Sequence, residues 1–311
     1  MPKPTVSRDS ESLWHPRHWP SWLVVGLLRL LALLPLRSFL AVGAGLGRLA
    51  YYLLPRRRRI TQVNLEICFP ELSAEQRQRM IRDHFAAVGM GMVEVMLCWW
   101  ASPRSLHGRT RIEGAEHLRA AMDQGSGVIL LSAHLTSLEL ATRILSQEFP
   151  VTAMYKPHRN PVFRTVMQHG RDTHADVQTI PFNDVRGMLR ALKAGKIVWY
   201  APDQSRRMKF SAVLPFFGHP AITNIATSRL ARMTGAPVVP FFMYREQHPD
   251  GGPLWRLVLQ PAMPGIPSGD DEADAAQTNK LFEDAIRVKP EQYLWMHRKF
   301  KGLPGEDLYR N

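Results

Sequence analysis

From Trp22 the chain reads "WLVVGLLRLLALLPLRSFLAVGAGLGRLAYYLLP", an apolar run interrupted by Arg29, Pro35, Arg37 and Arg48. A helix that crosses a bilayer takes about 20 consecutive apolar residues, and Arg29 and Pro35 leave shorter pieces. Three arrangements fit the pattern: a cleaved leader, a retained anchor, or a hydrophobic hairpin lying in the interface. The leader is disfavoured, because its charged region would contain Asp9 and Glu11 and no small-x-small cleavage site precedes a polar mature sequence. Retention is expected. Trp14, Trp19 and Trp22 before the run, and Tyr51 and Tyr52 after it, are the aromatic types found at membrane–water boundaries. Gly43 and Gly47 form a G-x-x-x-G spacing that permits close helix approach. "PRRRR" at residues 55–59 keeps the remainder of the chain on the cytoplasmic side by the excess of positive charge. The reading divides the chain into an interfacial tail (1–21), a membrane anchor (22–54) and a cytoplasmic body (55–311).

In the body, "SAEQRQRMIRDHFAAVGMGMVEVMLCWW" carries Met80, Ile81, Phe85, Val88, Met92, Val95 and Met96 at helical spacing, and Ser73 with Gln76 predicts a capping box at its start. Short β-rich runs then alternate with helices. "GVILLSA", "VTAMY", "IVWYAPD", "APVVPFFMY" and "WRLVLQP" are separated by "TSLELATRILSQ", "NPVFRTVMQHGRD", "VRGMLRALKAG" and "TNIATSRLARMTG". Apolar strands alternating with helices predict an α/β fold with a central, mostly parallel sheet covered on both faces. In such sheets sites gather at the carboxyl ends of strands. His134, the Tyr155 to Pro157 stretch and Asp203 each lie just past one.

Composition narrows the partners rather than the fold. A chain of 311 residues, 45% hydrophobic, can bury a full core, which excludes a disordered tail-like protein. Its formal net charge of +13 suits nucleic acid, an anionic membrane, phosphorylated substrates or an acidic protein. A nucleic-acid binder would interleave basic clusters with exposed aromatics, whereas the aromatics here lie inside apolar runs such as "PFFG" and "PVVPFFMY". Cys68 and Cys98 sit in apolar surroundings without metal-ligand spacing and read as buried thiols.

The junction "ILLSAHLTSLEL" carries the chemistry. His134 and Glu139 are five residues apart, and inside a helix they would diverge by about 140°. They face one another only if His134 lies in the turn before the helix. Thr136 to Glu139 fits T-x-x-E, with Thr136 as N-cap and Glu139 at the third helical position. The residues alone allow two uses: a satisfied turn histidine beside a capping glutamate, or a general base whose tautomer and imidazolium form a carboxylate stabilises. No G-x-S-x-G elbow or placed cysteine supplies a nucleophile, so the attacking group is expected from the substrate.

H-x4-E after a buried strand resembles the signature of the glycerolipid acyltransferase superfamily. "HPRHW" at His15, "VNLEICFPELS" at Val63, "GMGMVEVMLCWW" at Gly89, "YKPHRNP" at Tyr155, "VWYAPDQ" at Val198, "LPFFG" at Leu214 and "PEQYLWMHRKFK" at Pro290 are similar to its late lipid A acyltransferase branch, in the family's order. The resemblance implies that residues 55–311 form an acyltransferase domain on the cytoplasmic face of a bacterial inner membrane. It also implies acyl transfer from acyl carrier protein to the hydroxyl of a 3-hydroxyacyl chain on a phosphorylated lipid A precursor. His134 would be the base, assisted by Glu139, with no covalent acyl-enzyme, no cofactor and no metal.

By position, Arg171 in "HGRD" and Asp203 in "APDQ" match the family's polar site residues, and Tyr155, Lys156 and Asn160 fall in its "YKPHRNP" stretch. Lys156 stands where the family commonly has arginine, which loses a bidentate fork. Ala133 stands where many superfamily members have asparagine. The acidic carrier and the lipid phosphates give the positive charge a use, and Arg206, Arg207, Lys209, Arg298, Lys299 and Lys301 are candidates for a basic mouth. Two rivals remain: an acyltransferase forming phospholipid on lysophosphatidate or glycerol phosphate, and a membrane-attached basic binding protein.

Overall fold

A computed structural model describes residues 13–101, 103–155, 158–174, 178–181, 184–205, 209–303 and 308–309, with backbone alone at 103–104, 155 and 171–174. Helices α1 (Trp19–Leu31), α2 (Leu36–Leu53), α3 (Pro55–Cys68), α4 (Ala74–Trp100) and α5 (Pro103–Leu106) come first. Next are β1 (Thr110–Glu113), α6 (Ala115–Met122), β2 (Val128–Leu131), α7 (Leu138–Leu145), β3 (Val151–Tyr155), α8 (Pro161–His174), β4 (Gln178–Pro181) and α9 (Val185–Lys193). The chain closes with β5 (Ile197–Tyr200), β6 (Ser211–Phe216), β7 (His219–Asn224), α10 (Ala226–Thr234), β8 (Val238–Gln247), β9 (Pro253–Leu259) and α11 (Asp271–Val288).

Seven of the described strands form one sheet in the order β1-β9-β8-β2-β5-β3-β4. Every pairing in it is parallel except β8 with β9, as the alternation of apolar runs and helices predicts. β2 is central and buried along its length. Its pleat sends Ile129 and Leu131 into one apolar core, with Phe242, Phe282 and Trp295, and Val128 and Leu130 into the other, with Leu140, Phe241 and Trp255. Two-faced burial is why "GVILL" shows no polar alternation. The β6–β7 hairpin was not foreseen. It turns on Phe217 and Gly218, both with positive φ, and its prolines Pro215 and Pro220 disguise it as loop.

The Ser73–Gln76 capping box forms as expected, with both reciprocal hydrogen bonds present. Residues 22–54 are two helices that meet at Pro35, not one span. At a rise of 1.5 Å per residue, the 13-residue α1 reaches about 20 Å against a hydrocarbon thickness of about 30 Å. No helix among the described residues is long and apolar enough to cross a membrane, so the expected transmembrane helix is not found.

The G-x-x-x-G spacing works inside the protein. α2 lies against α4 so closely that a Cβ at Gly47 would strike the Phe85 carbonyl and one at Gly89 the Gly43 carbonyl. The other side of α2 is apolar as well: Leu46, Leu49 and Leu53 are exposed, as are Leu23, Leu27 and Leu30 of α1. Tyr51, expected at the interfacial belt, is instead buried against Phe85 with Arg58 over its ring, whereas Tyr52 is exposed.

Candidate active site

β2 and β5 run parallel with Leu131 opposite Tyr200, and Ser132 N–H extends the ladder to the Tyr200 carbonyl at 3.0 Å. Matched register brings together the residues three positions beyond each strand, His134 and Asp203. Asp203 Oδ1 lies 2.5 Å from His134 Nδ1, and Asp203 Oδ2 accepts the His134 backbone N–H at 3.1 Å. A carboxylate accepts, so Nδ1 carries the hydrogen and Nε2 is left to take up a proton. Asp203 is sealed at 1% side-chain exposure while His134 keeps 32%, which leaves the imidazole as the open member of the pair.

Burial alone would lower the affinity of His134 for a proton. The charge of Asp203 and its hydrogen bond more than offset this and hold the imidazole above its ordinary value of 6.5. Burial pushes the Asp203 carboxyl upward, but the His134 charge and hydrogen bonds, with the nearby charge of Lys299, bring it down to about 2. Asp203 is therefore ionised throughout the neutral range. The arrangement can hold an imidazole in one tautomer and stabilise its imidazolium form.

The turn that carries His134 is held from behind. The segment after α11 pairs with it: Leu294 N–H donates to the His134 carbonyl at 3.0 Å and Thr136 N–H to the Gln292 carbonyl at 2.8 Å. Arg245 of β8 donates to Thr136 Oγ1 and Ser137 Oγ, both at 3.3 Å, and pairs with the buried Glu94 of α4 at 2.6 Å. Trp255 Nε1–H donates to the same Glu94 carboxylate at 2.8 Å. α4 comes so close that a Cβ at Gly91 would collide with the Thr136 carbonyl. "GMGMVEVMLCWW" and "PEQYLWMHRKFK" thus have a physical reason to accompany the histidine: they build the wall against which its turn is packed.

Several expectations change. α7 begins at Leu138 with Ser137 as N-cap and no side-chain cap, so the Thr136–Glu139 capping box does not form. The Arg245 and Gln292 contacts occupy Thr136 and delay the helix. Glu139 lies half-buried in the first turn of α7. The carboxylate on His134 Nδ1 is that of Asp203, which corrects the expectation that Glu139 would set the tautomer. Asn160 caps α8 through Oδ1, which accepts from Val162 and Phe163 N–H at 2.9 and 3.3 Å, and its Nδ2 donates to Ser21 Oγ at 2.8 Å. Its polar atoms thus bond to the start of α8 and to α1.

Lys299 is buried and does not belong to a basic mouth. Arg298 lies half-buried with its guanidinium over the Tyr309 ring, and Lys209 is exposed. Tyr155 ends β3 and Arg171 lies in α8, but their side chains, like Lys156, Arg206 and Arg207, fall outside the described residues. Glu94, Arg245 and Tyr293 were missed; a Glu inside an apolar helix and an Arg ending an apolar strand were the available signals. Both cysteines are buried thiols. Among the described residues no group of three or more His, Cys, Asp or Glu is arranged to hold a metal.

Residues 7–302 match the family described as bacterial lipid A biosynthesis acyltransferase. The chain belongs to this family. It is 38% identical over 300 residues to the lipid A biosynthesis lauroyltransferase of Escherichia coli (strain K12), covering 96% of this chain and 97% of that protein. The palmitoleoyltransferase of the same strain is 38% identical over 95% of both chains. Its myristoyltransferase is 28% identical over 97% of this chain and 93% of its own. This lipid A acyltransferase family member is therefore an enzyme of acyl transfer.

Proposed function

We propose that the protein transfers a fatty acyl group from acyl carrier protein to a 3-hydroxyacyl hydroxyl of a phosphorylated lipid A precursor. The observation that carries the reading is the His134–Asp203 pair, with the carboxylate sealed and the imidazole partly open. The hydroxyl oxygen attacks the thioester carbonyl as its proton passes to His134 Nε2. Collapse of the tetrahedral intermediate breaks the C–S bond, and the imidazolium returns the proton to the departing sulfur. A thioester is reactive enough that the enzyme itself needs no acyl intermediate. The transient imidazolium faces the Asp203 carboxylate. Arg171, on α8, is assigned to a lipid phosphate or to the developing oxyanion.

Location on the cytoplasmic face of the inner membrane belongs to the same proposal. The outward leucines of α1 and α2 support it, since exposed apolar side chains on two successive helices suit burial in one leaflet. Arg56 and Arg57, exposed at the start of α3, would meet anionic headgroups beside it.

The test is direct. Membranes containing the protein, incubated with acyl carrier protein charged with a fatty acid and a lipid A precursor, are expected to yield a product heavier by one acyl chain. His134→Ala is expected to abolish that product while folded protein persists. Normal turnover by His134→Ala would overturn the base assignment. Acylation of lysophosphatidate but not of the lipid A precursor would replace the substrate.

A further inference from the structure

Lys299 is a buried lysine with one-sided surroundings. Its Nζ donates to the Asp203 carbonyl at 2.7 Å and stands 4.0 Å from the centroid of the Phe216 ring. Beside Asp203, the titratable groups that act on Lys299 are the Glu283 carboxylate of α11 and the Cys68 thiol of α3, which burial pushes up and keeps protonated. Burial lowers its affinity for a proton, only partly offset by those groups, yet at about 8 it keeps its charge at neutral pH. An ammonium withdrawn from water is costly to hold, and a neutral side chain of similar length would fill the same slot against Phe216. The charge therefore has a use beyond packing.

That use is legible in what surrounds Asp203. Its carboxylate oxygens are taken by the ring and the backbone N–H of His134, and its carbonyl by Lys299. The Tyr293 phenol lies against the same carboxylate, and burial, then the Asp203 charge, raises its affinity for its proton. Asp203 lies beyond β5 in a stretch of irregular backbone, where no ladder fixes its direction. Lys299 and Tyr293 both come from the segment that pairs with the His134 turn, so one segment grips both members of the pair.

We propose that Lys299 is a positioning residue for this reaction: its ammonium anchors the Asp203 backbone, and its charge helps hold the carboxylate aimed at His134 Nδ1. The inference rests on His134 being the base. It assigns to the carboxyl-terminal segment a part in catalysis that acts through Asp203, without contact with either substrate.

Lys299→Met tests it. The expected result is a fall in kcat of about 10- to 100-fold with KM for both substrates little changed, the pattern for a misaimed group rather than a lost binding contact. The low-field proton resonance of the His134 Nδ1–H, identified by its loss in Asp203→Asn, is expected to shift or broaden in Lys299→Met. Wild-type kcat together with an unchanged resonance would overturn the proposal and leave the base assignment standing. Full activity of His134→Ala would instead remove the reading on which it rests. If Lys299→Met does not accumulate as folded protein, Lys299→Gln keeps a donor and lacks the charge: reduced kcat at unchanged KM supports the proposal, and wild-type kcat refutes it.

Discussion

Asp203 holds His134 twice, once at ring Nδ1 at 2.5 Å and once at the backbone N–H at 3.1 Å. A single carboxylate thereby sets the rotation of the imidazole and the position of the turn that carries it. Because the carboxylate is sealed from solvent, the bond is little weakened by water, and the ring is presented in one tautomer.

Asp203→Asn separates charge from shape. The variant is expected to lose about 10²- to 10⁴-fold in kcat/KM, the range spanned by general-base catalysis and by loss of the orienting carboxylate. His134 must be neutral to accept a proton, so activity falls as pH drops through its pKa, which the carboxylate holds above 6.5. Without that charge only burial remains, and burial lowers the value. The acid limb of the pH–rate profile is expected above pH 6.5 in the native enzyme and below it in the variant.

The Arg245–Glu94 pair lies out of water, and Trp255, Thr136 and Ser137 share its hydrogen bonds. Arg245→Met leaves the Glu94 charge buried without its cation, at a cost of about 3–5 kcal/mol. Combining Arg245→Met with Glu94→Leu is expected to recover part of that loss. Denaturant midpoints in detergent measure both, and a double variant no more stable than the single one would contradict the account.

His84 makes the fold sensitive to acid. It is fully buried on α4, its Nδ1–H donating to the Glu291 carbonyl at 3.0 Å, and burial lowers its pKa to about 4. The unfolded chain takes up this proton near pH 6.5 and the folded chain only near 4. Stability is therefore complete above about 6.5 and declines as pH falls toward 4, by about 3 kcal/mol. The Asp203 carboxyl, depressed to about 2, adds a second loss below about 3.8. Burial lowers His297 to about 4 as well, so it titrates in the same window. His84→Gln, which retains a donor, is expected to reduce but not abolish the fall of the thermal midpoint between pH 6.5 and 4, and an unaltered profile would show that His84 does not contribute.

The apolar face of α1 and α2 predicts where the protein resides. Leu23→Asp, Leu27→Asp, Leu46→Asp and Leu49→Asp together change exposed positions and leave the α2–α4 contact intact. Fractionation is expected to move the variant from membranes to the soluble fraction with an unchanged circular dichroism spectrum. Continued sedimentation with membranes would place attachment elsewhere.

Much of this protein is legible along the chain. Alternation of apolar strands and helices marks the α/β class because a strand buried on two faces cannot alternate, and "VTAMY" is β3 residue for residue. His134 is visible as a polar residue stranded after such a strand. The elements that escaped are short or carry proline, such as β1, β4 and the β6–β7 hairpin, where local composition says little about pairing.

The partner of His134 belongs to the other category. Reading outward from the histidine selects Glu139, because sequence displays neighbours along the chain. In the folded protein β5 comes after β3 and β4 in the chain, yet it inserts between β2 and β3. That strand order, set by burial of both sheet faces over the whole domain, carries Asp203 across 69 residues to His134. The same distant packing withdraws Lys299 from the surface and turns the G-x-x-x-G of α2 inward. Residue types and their spacing marked His134 as a candidate and the order of the motifs pointed to the family; adjacency, which is a property of the sheet and not of the chain, decided which carboxylate stands beside it.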